Sequence, residues 1–164
     1  MTEKYKELAA LIDGKSDSAY SKTLNFLDAN PDDAVALHLA GKLFTTADQY
    51  GVAYQFLKRS LEVSGSAAAH NNLGMCLEGM DRYKEAEKHF EKAIKADPKS
   101  ANYLANLAVC KGECGERLEQ EKLARKAIAL DPAHTGAHTS LAFSLLAQGR
   151  YKEGWSEYKH TLGG

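Results

Sequence analysis

The residues of this 164-residue chain that could hold a metal or move a proton are three cysteines, Cys76, Cys110 and Cys114, and six histidines, His38, His70, His89, His134, His138 and His160. Cys110 and Cys114 stand four apart, a spacing that sets both thiols on one face of a helix. Zinc asks for four ligands, and without a second cysteine pair these two make half a site. An odd number of cysteines in a chain with no secretory start also argues against a disulfide framework. The three thiols therefore read as small apolar fillers. The sequence holds no glycine-rich phosphate loop, no Gly-x-Ser-x-Gly elbow and no His-Glu-x-x-His helix. The expectation is a chain that is not an enzyme and carries no cofactor and no metal.

Composition narrows the partners. With 21 Lys and Arg against 22 Asp and Glu, the formal net charge is -1, whereas a surface built for phosphates shows a basic excess. Nucleic acid is not expected. No apolar run approaches the roughly 20 residues of a spanning helix, and "MTEKYKELAALIDGKSD" lacks the charged-then-apolar order of a secretory signal. These features predict a cytoplasmic protein with no membrane partner.

The elements that position these residues repeat. "AIKADPKSANYLANLAVC" begins at Ala93, and "AIALDPAHTGAHTSLAFS" begins at Ala127, one period further along the chain. Proline stops helices, and the step from Pro98 to Pro132 is the same period again, while the step from Pro31 to Pro98 is close to twice as long. Between the stops apolar residues recur at three and four. In "YKEAEKHFEKAIKA", Tyr83, Ala86, Phe90, Ala93 and Ile94 share one face, and Lys84, Lys88, Glu91, Lys92 and Lys95 the other. Turns are expected at "GMDRY" around Gly79 and "AQGRY" around Gly149. The spacing predicts helical hairpins over 34–66, 67–100, 101–134 and 135–164. Residues 1–33 read as a degenerate first hairpin with Gly14, Ala19, Phe26 and Pro31 in place but Glu3, Lys6 and Glu7 where its first helix should be apolar, as suits a cap.

The stretch from Ala67 resembles the tetratricopeptide repeat, whose pattern is W-x2-L-G-x2-Y, then A-x3-F, then P, within a unit of about 34 residues. His70 stands in the tryptophan place, Leu73 and Gly74 form the Leu-Gly pair, Leu77 replaces the tyrosine, and Ala86, Phe90 and Pro98 complete it. The unit from Ala34 supplies Leu37, Ala40, Gly41, Phe44, Tyr50, Ala53 and Leu57, one residue short. The unit from Ala101 supplies Leu104, Leu107, Ala108, Ala124, Ala127 and Pro132, and departs at Lys111, Arg117 and Gln120, where bulky apolar or small residues are expected. The last, from Thr135, shows His138, Leu141, Ala142, Leu145, Tyr151, Gly154 and Tyr158. Small residues in these places let two helices cross closely. The resemblance implies an all-α, right-handed solenoid of about five helix-turn-helix repeats, ten helices in all, with His70 and His138 packed between helices.

It also implies a non-catalytic scaffold that holds a protein or peptide partner in a concave groove lined by the first helices. By matched place the groove residues are His38, Lys42, Asn71, Asn72, Met75, Asn102, Asn106, Thr139 and Phe143, with Glu78, Ala105 and Val109 beside them. Asn72 and Asn106 hold equivalent places in successive units, and a carboxamide both donates to and accepts from a peptide backbone. The pair is similar to the asparagine ladder of O-linked N-acetylglucosamine transferases, with Leu39 and Ser140 interrupting it. The carboxylate clamp of chaperone co-factors needs several cations, and Lys42 alone is a permanent one here, so that use is disfavoured. At the other end "GRYKEGWSEYKHTL" resembles repeats that precede bacterial and phage glycosyltransferase-like domains. That likeness offers a second expectation, a recruiting domain of a larger glycosyltransferase. Trp155, Tyr158 and Leu162 on a helix from Tyr151 are the candidates for an edge that docks a following domain or a second copy.

Overall fold

A computed structural model describes residues 17–161. Among the described residues there are nine helices and no strand: α1 (Asp17–Ala29), α2 (Ala34–Thr46), α3 (Tyr50–Val63), α4 (Ala67–Glu78), α5 (Tyr83–Ala96), α6 (Ala101–Glu113), α7 (Arg117–Leu130), α8 (Thr135–Ala147) and α9 (Tyr151–Lys159). The tenth expected helix, with Glu3, Lys6, Glu7 and Gly14, lies outside the described residues, as does Leu162.

The even-numbered helices from α2 onward start on a side-chain cap. Asp33 accepts from Ala36 N at 2.9 Å, Ser66 from Ala69 N at 3.1 Å, Ser100 from Tyr103 N at 3.4 Å and His134, through Nδ1, from Ala137 N at 3.1 Å. Each of these helices closes with one turn design. The residue in the left-handed region is Asp48 (φ 56°), Asp81 (φ 59°), Gly115 (φ 79°) or Gly149 (φ 77°). The following N–H reaches back to the helix, as Arg150 N does to Leu145 O at 2.9 Å. Both turns lie where the sequence suggests, and Gly149 is the left-handed residue of its own, but Gly79 is not. Its φ is -63°, the left-handed place belongs to Asp81, and Gly79 is small because a Cβ there would run into the Tyr50 ring.

The chain divides between Arg82 and Tyr83 into two compact units. In the first, α2 packs on α1, α3 and α4, and α3 on α4. Ala19, Leu39 and Leu43 form one core, with Leu27, Ala36, Leu37 and Ala40 beside it and Phe26 touching both. Gly41 leaves room for Leu57, so α2 and α3 cross closely. In the second unit α6 packs on α5, α7 and α8, α7 on α8, and α8 on α9. Gly154 does there what Gly41 does in the first: a Cβ would sit 2.7 Å from Leu146 and 3.1 Å from Ala142 O.

Two of the three departures in the 101–134 unit, Gln120 and Lys111, have compensations. Gln120 takes the place of a small residue, and Gly112 opposite it yields the space, since a Cβ there would lie 2.6 Å from the Gln120 amide. Lys111 replaces a leucine, yet its ammonium bonds Glu87 and reaches Glu116 at 2.8 Å, while Lys84 reaches the other Glu116 oxygen at 2.8 Å. Burial works to lower the Lys111 pKa, but the bonds to Glu116 and Glu87 outweigh it and hold the ammonium above the usual lysine range. The same bonds, from Lys111 and then Lys84, hold the Glu116 carboxyl at about 2.

Candidate partner-binding surface

In the first unit α2 and α4 bring together His38, Lys42, Asn71, Asn72 and Met75, but not with one role. The Asn72 amide lies 2.7 Å from His38 Nε2. Burial, followed by the nearby Lys42 charge, pulls the His38 pKa below its ordinary 6.5, so the ring is neutral and Nε2 accepts from the Asn72 NH2. Asn72 therefore ties α2 to α4. Asn71 is buried and turns its Nδ2 toward Met75 Sδ at 3.5 Å, whereas Met75 itself is 40% exposed.

In the second unit α6 and α8 carry Asn102, Asn106, Val109, Thr139 and Phe143. Asn102 Oδ1 lies 2.7 Å from His134 Nε2. Because His134 Nδ1 already accepts from Ala137 N, its proton sits on Nε2, and one neutral tautomer satisfies both bonds. Asn106 is half-buried on α6. Thr139 turns its hydroxyl back to Thr135 O at 2.9 Å, and Phe143 stands 54% exposed.

Beside Phe143 opens a cavity of about 650 Å3, lined among others by Val109, Arg117, Gln120, Thr139 and Leu146. Its floor is rigid. Gln120 Nε2 donates to Ser140 O and to Ser140 Oγ, each at 3.2 Å, and Arg117 Nη1 donates to Gln120 Oε1 at 3.1 Å. The expectation from the resemblance covers Val109, Thr139 and Phe143 but misses Arg117, Gln120 and Leu146. The signal was present in the sequence, because Arg117 and Gln120 break the repeat pattern where the cavity forms.

His138, Cys76 and Cys110 are spent on packing. His138 is buried, with Nδ1 at 2.7 Å from Glu157 Oε2, Nε2 at 3.0 Å from Pro132 O and its ring stacked on His160. Among the described residues no group of three His, Cys, Asp or Glu could hold a metal ion. Cys76 and Cys110 are fully buried, and burial pushes the Cys76 thiol up. At the C-terminal edge Trp155 is 56% exposed and meets Tyr158 edge-on at 5.8 Å, and Tyr158 in turn leans toward Phe143 at 6.4 Å. Among the described residues no helix is long and apolar enough to cross a membrane.

The segment that spans α4 and α5, residues 67–100, matches the family model of the tetratricopeptide repeat. Residues 67–100 are a tetratricopeptide repeat. Over 81 residues, 49% of this chain and 14% of the relative, the sequence is 33% identical to the Hsp70-Hsp90 organizing protein of Triticum aestivum. The chain spans less than a quarter of the curated relatives it matches. Among solved structures it is similar to MamA of Desulfovibrio magneticus RS-1, with a TM-score of 0.79, 18% identity, and 99% of this chain and 95% of that one covered. It is also similar to YrrB, described as a TPR protein with an unusual peptide-binding site, with a TM-score of 0.72, 16% identity, and 96% and 83% covered. These likenesses show the fold, an all-helical solenoid of helical hairpins.

Proposed function

We propose that this chain is a non-catalytic scaffold that holds a segment of a partner protein against the α6 and α8 face of its second unit. The observation that carries the reading is the cavity beside Phe143. An exposed aromatic ring, an apolar rim from Val109 and Leu146 and a floor fixed by the Gln120 bonds make a ready seat for a bulky apolar side chain. Thr139 and Arg117 at the rim leave polar groups for the partner backbone. Two relatives agree in kind: one is named for organizing Hsp70 and Hsp90, the other for a peptide-binding site. Asn72, committed to His38, supports the α2 and α4 pairing, and the amide ladder is not the centre of this reading. None of the relatives reported above carries a glycosyltransferase in its name, and no observation favours that alternative.

The test is a pull-down with the full chain and mass spectrometry of what it retains, followed by calorimetry on the captured segment. Phe143→Ala is expected to weaken binding about tenfold or more, since a buried aromatic anchor contributes on the order of 2 kcal/mol. Partners that bind Phe143→Ala and Val109→Asp as tightly as wild type would place the site elsewhere.

A further inference from the structure

Among the described residues α9 lacks the cover that its counterparts receive. Positions 50, 83, 117 and 151 open α3, α5, α7 and α9, and positions 54, 87, 121 and 155 lie one turn on. On α3, the next helix makes three contacts with these places. Cys76 Sγ donates to Tyr50 O at 3.1 Å, Gly79 lies against the Tyr50 ring with no room for a Cβ, and Arg82, past the turn, stands 5.3 Å over the Tyr54 ring. On α7, Ser144 Oγ donates to Arg117 O at 2.6 Å and Arg150, past the turn, bonds Glu121 at 2.9 Å. On α5, Cys110 Sγ donates to Tyr83 O at 3.3 Å and Lys111 bonds Glu87. In each case a thiol or hydroxyl meets the first place and a cation meets the second.

Two of the three covering segments share a pattern, from which the third, CKGECGE at residues 110–116, departs. Residues 76–82 read CLEGMDR and residues 144–150 read SLLAQGR: a small donor, a small residue three on, and arginine three further. The receiving half of this interface recurs on α9. Tyr151 stands in the place of Tyr50 and is 65% exposed, and Trp155 stands in the place of Tyr54 and is 56% exposed. Among the described residues α9 packs on α8 alone. Exposed aromatic surface of this kind marks an interaction site, and an indole is the best ring for a guanidinium.

We infer that the Tyr151 and Trp155 face of α9 receives a helix from another protein that ends in the pattern Cys or Ser, x, x, Gly or Ala, x, x, Arg. It would continue the interface that α4 makes on α3. The small donor sits at the start of α9, the small residue clears the Tyr151 ring, and the arginine lies over Trp155. This surface is on the second helix of its hairpin and is distinct from the cavity beside Phe143.

Trp155 is the sole tryptophan of the chain and reports on its own face. The probe is a synthetic peptide of residues 67–82, held helical by a lactam on its exposed side because so short a helix is marginal alone. Titrated into the full chain, it is expected to shift Trp155 emission to the blue and to saturate. Tyr151→Glu, which alters a side chain already in water, should abolish the shift while circular dichroism stays unchanged. Replacing Arg82 by Gln in the peptide should weaken binding about fivefold, and replacing Gly79 by Leu should remove it. An emission that never moves, or equal binding by all peptide variants, would overturn the inference. So would a blue shift on concentrating the chain alone, which would assign the face to a second copy.

Discussion

Asn72 donates its amide to His38 Nε2 at 2.7 Å, and that bond needs the ring neutral. Because burial and Lys42 pull the folded His38 pKa below 6.5, the folded state favours the uncharged form more than the unfolded chain does. The stability that follows is complete above the unfolded value and is lost as the pH falls from there through the folded pKa. The urea midpoint of the wild type is expected to decline as the pH is lowered from about 7 to about 5, and His38→Gln should lack this portion of the decline. Asn72→Ala should lower stability by about 1 kcal/mol, the worth of one hydrogen bond. A flat midpoint, or an alanine variant as stable as wild type, would return Asn72 to the recognition role that its place in the repeat suggests. The sequence could not show this use, because the partner belongs to the preceding repeat and its place on α2 matches that of Asn71, not of Asn72.

Helices in this chain are set by local chemistry that is legible one residue at a time, and the turns show where legibility stops. Gly149 occupies the left-handed region with nothing within 4 Å of where a Cβ would stand, so its requirement is conformational alone. Gly149→Ala is therefore expected to cost about 1 to 2 kcal/mol. Gly51 also has open space around it, but it lies in the first turn of α3 with no positive φ. Gly51→Ala should raise stability by about 0.5 to 1 kcal/mol through helix propensity and a less flexible unfolded chain. Thermal melts of the two variants with opposite shifts would confirm the assignment; shifts of one sign would contradict it. Aspartate at 48 and 81 does the same backbone work as glycine at 115 and 149, which is why the sequence places the turn in GMDRY correctly but a reading by glycines alone finds the left-handed residue at Gly149 and not at Asp81. Gln120 and Lys111 were visible as departures, but their compensation by Gly112, Glu87 and Glu116 needs the packed helices to be seen.

At the scale of the molecule the regular period announced hairpins because one amphipathic pair cannot bury its own apolar face, and that argument needs only residue types and spacing. The proposed binding surface was less legible. Phe143, Thr139 and Val109 could be placed by register, but the cavity depends on how Gln120 and Leu146 fill or leave space. The same architecture orders local stability, since a helix covered on one side opens more easily than one held between neighbours. Among the described residues of the first unit α1 packs on α2 alone, and α2 is held by α1, α3 and α4; among those of the second α9 packs on α8 alone, and α6 is held by α5, α7 and α8. Native-state hydrogen exchange is expected to show the α1 and α9 amides opening at lower denaturant than those of α2 and α6. α9 should gain protection when the 67–82 peptide is present, while α1 should not. Uniform protection across all four helices would mean that each unit opens as a whole and that the outer helices are held by contacts other than those on their covered sides.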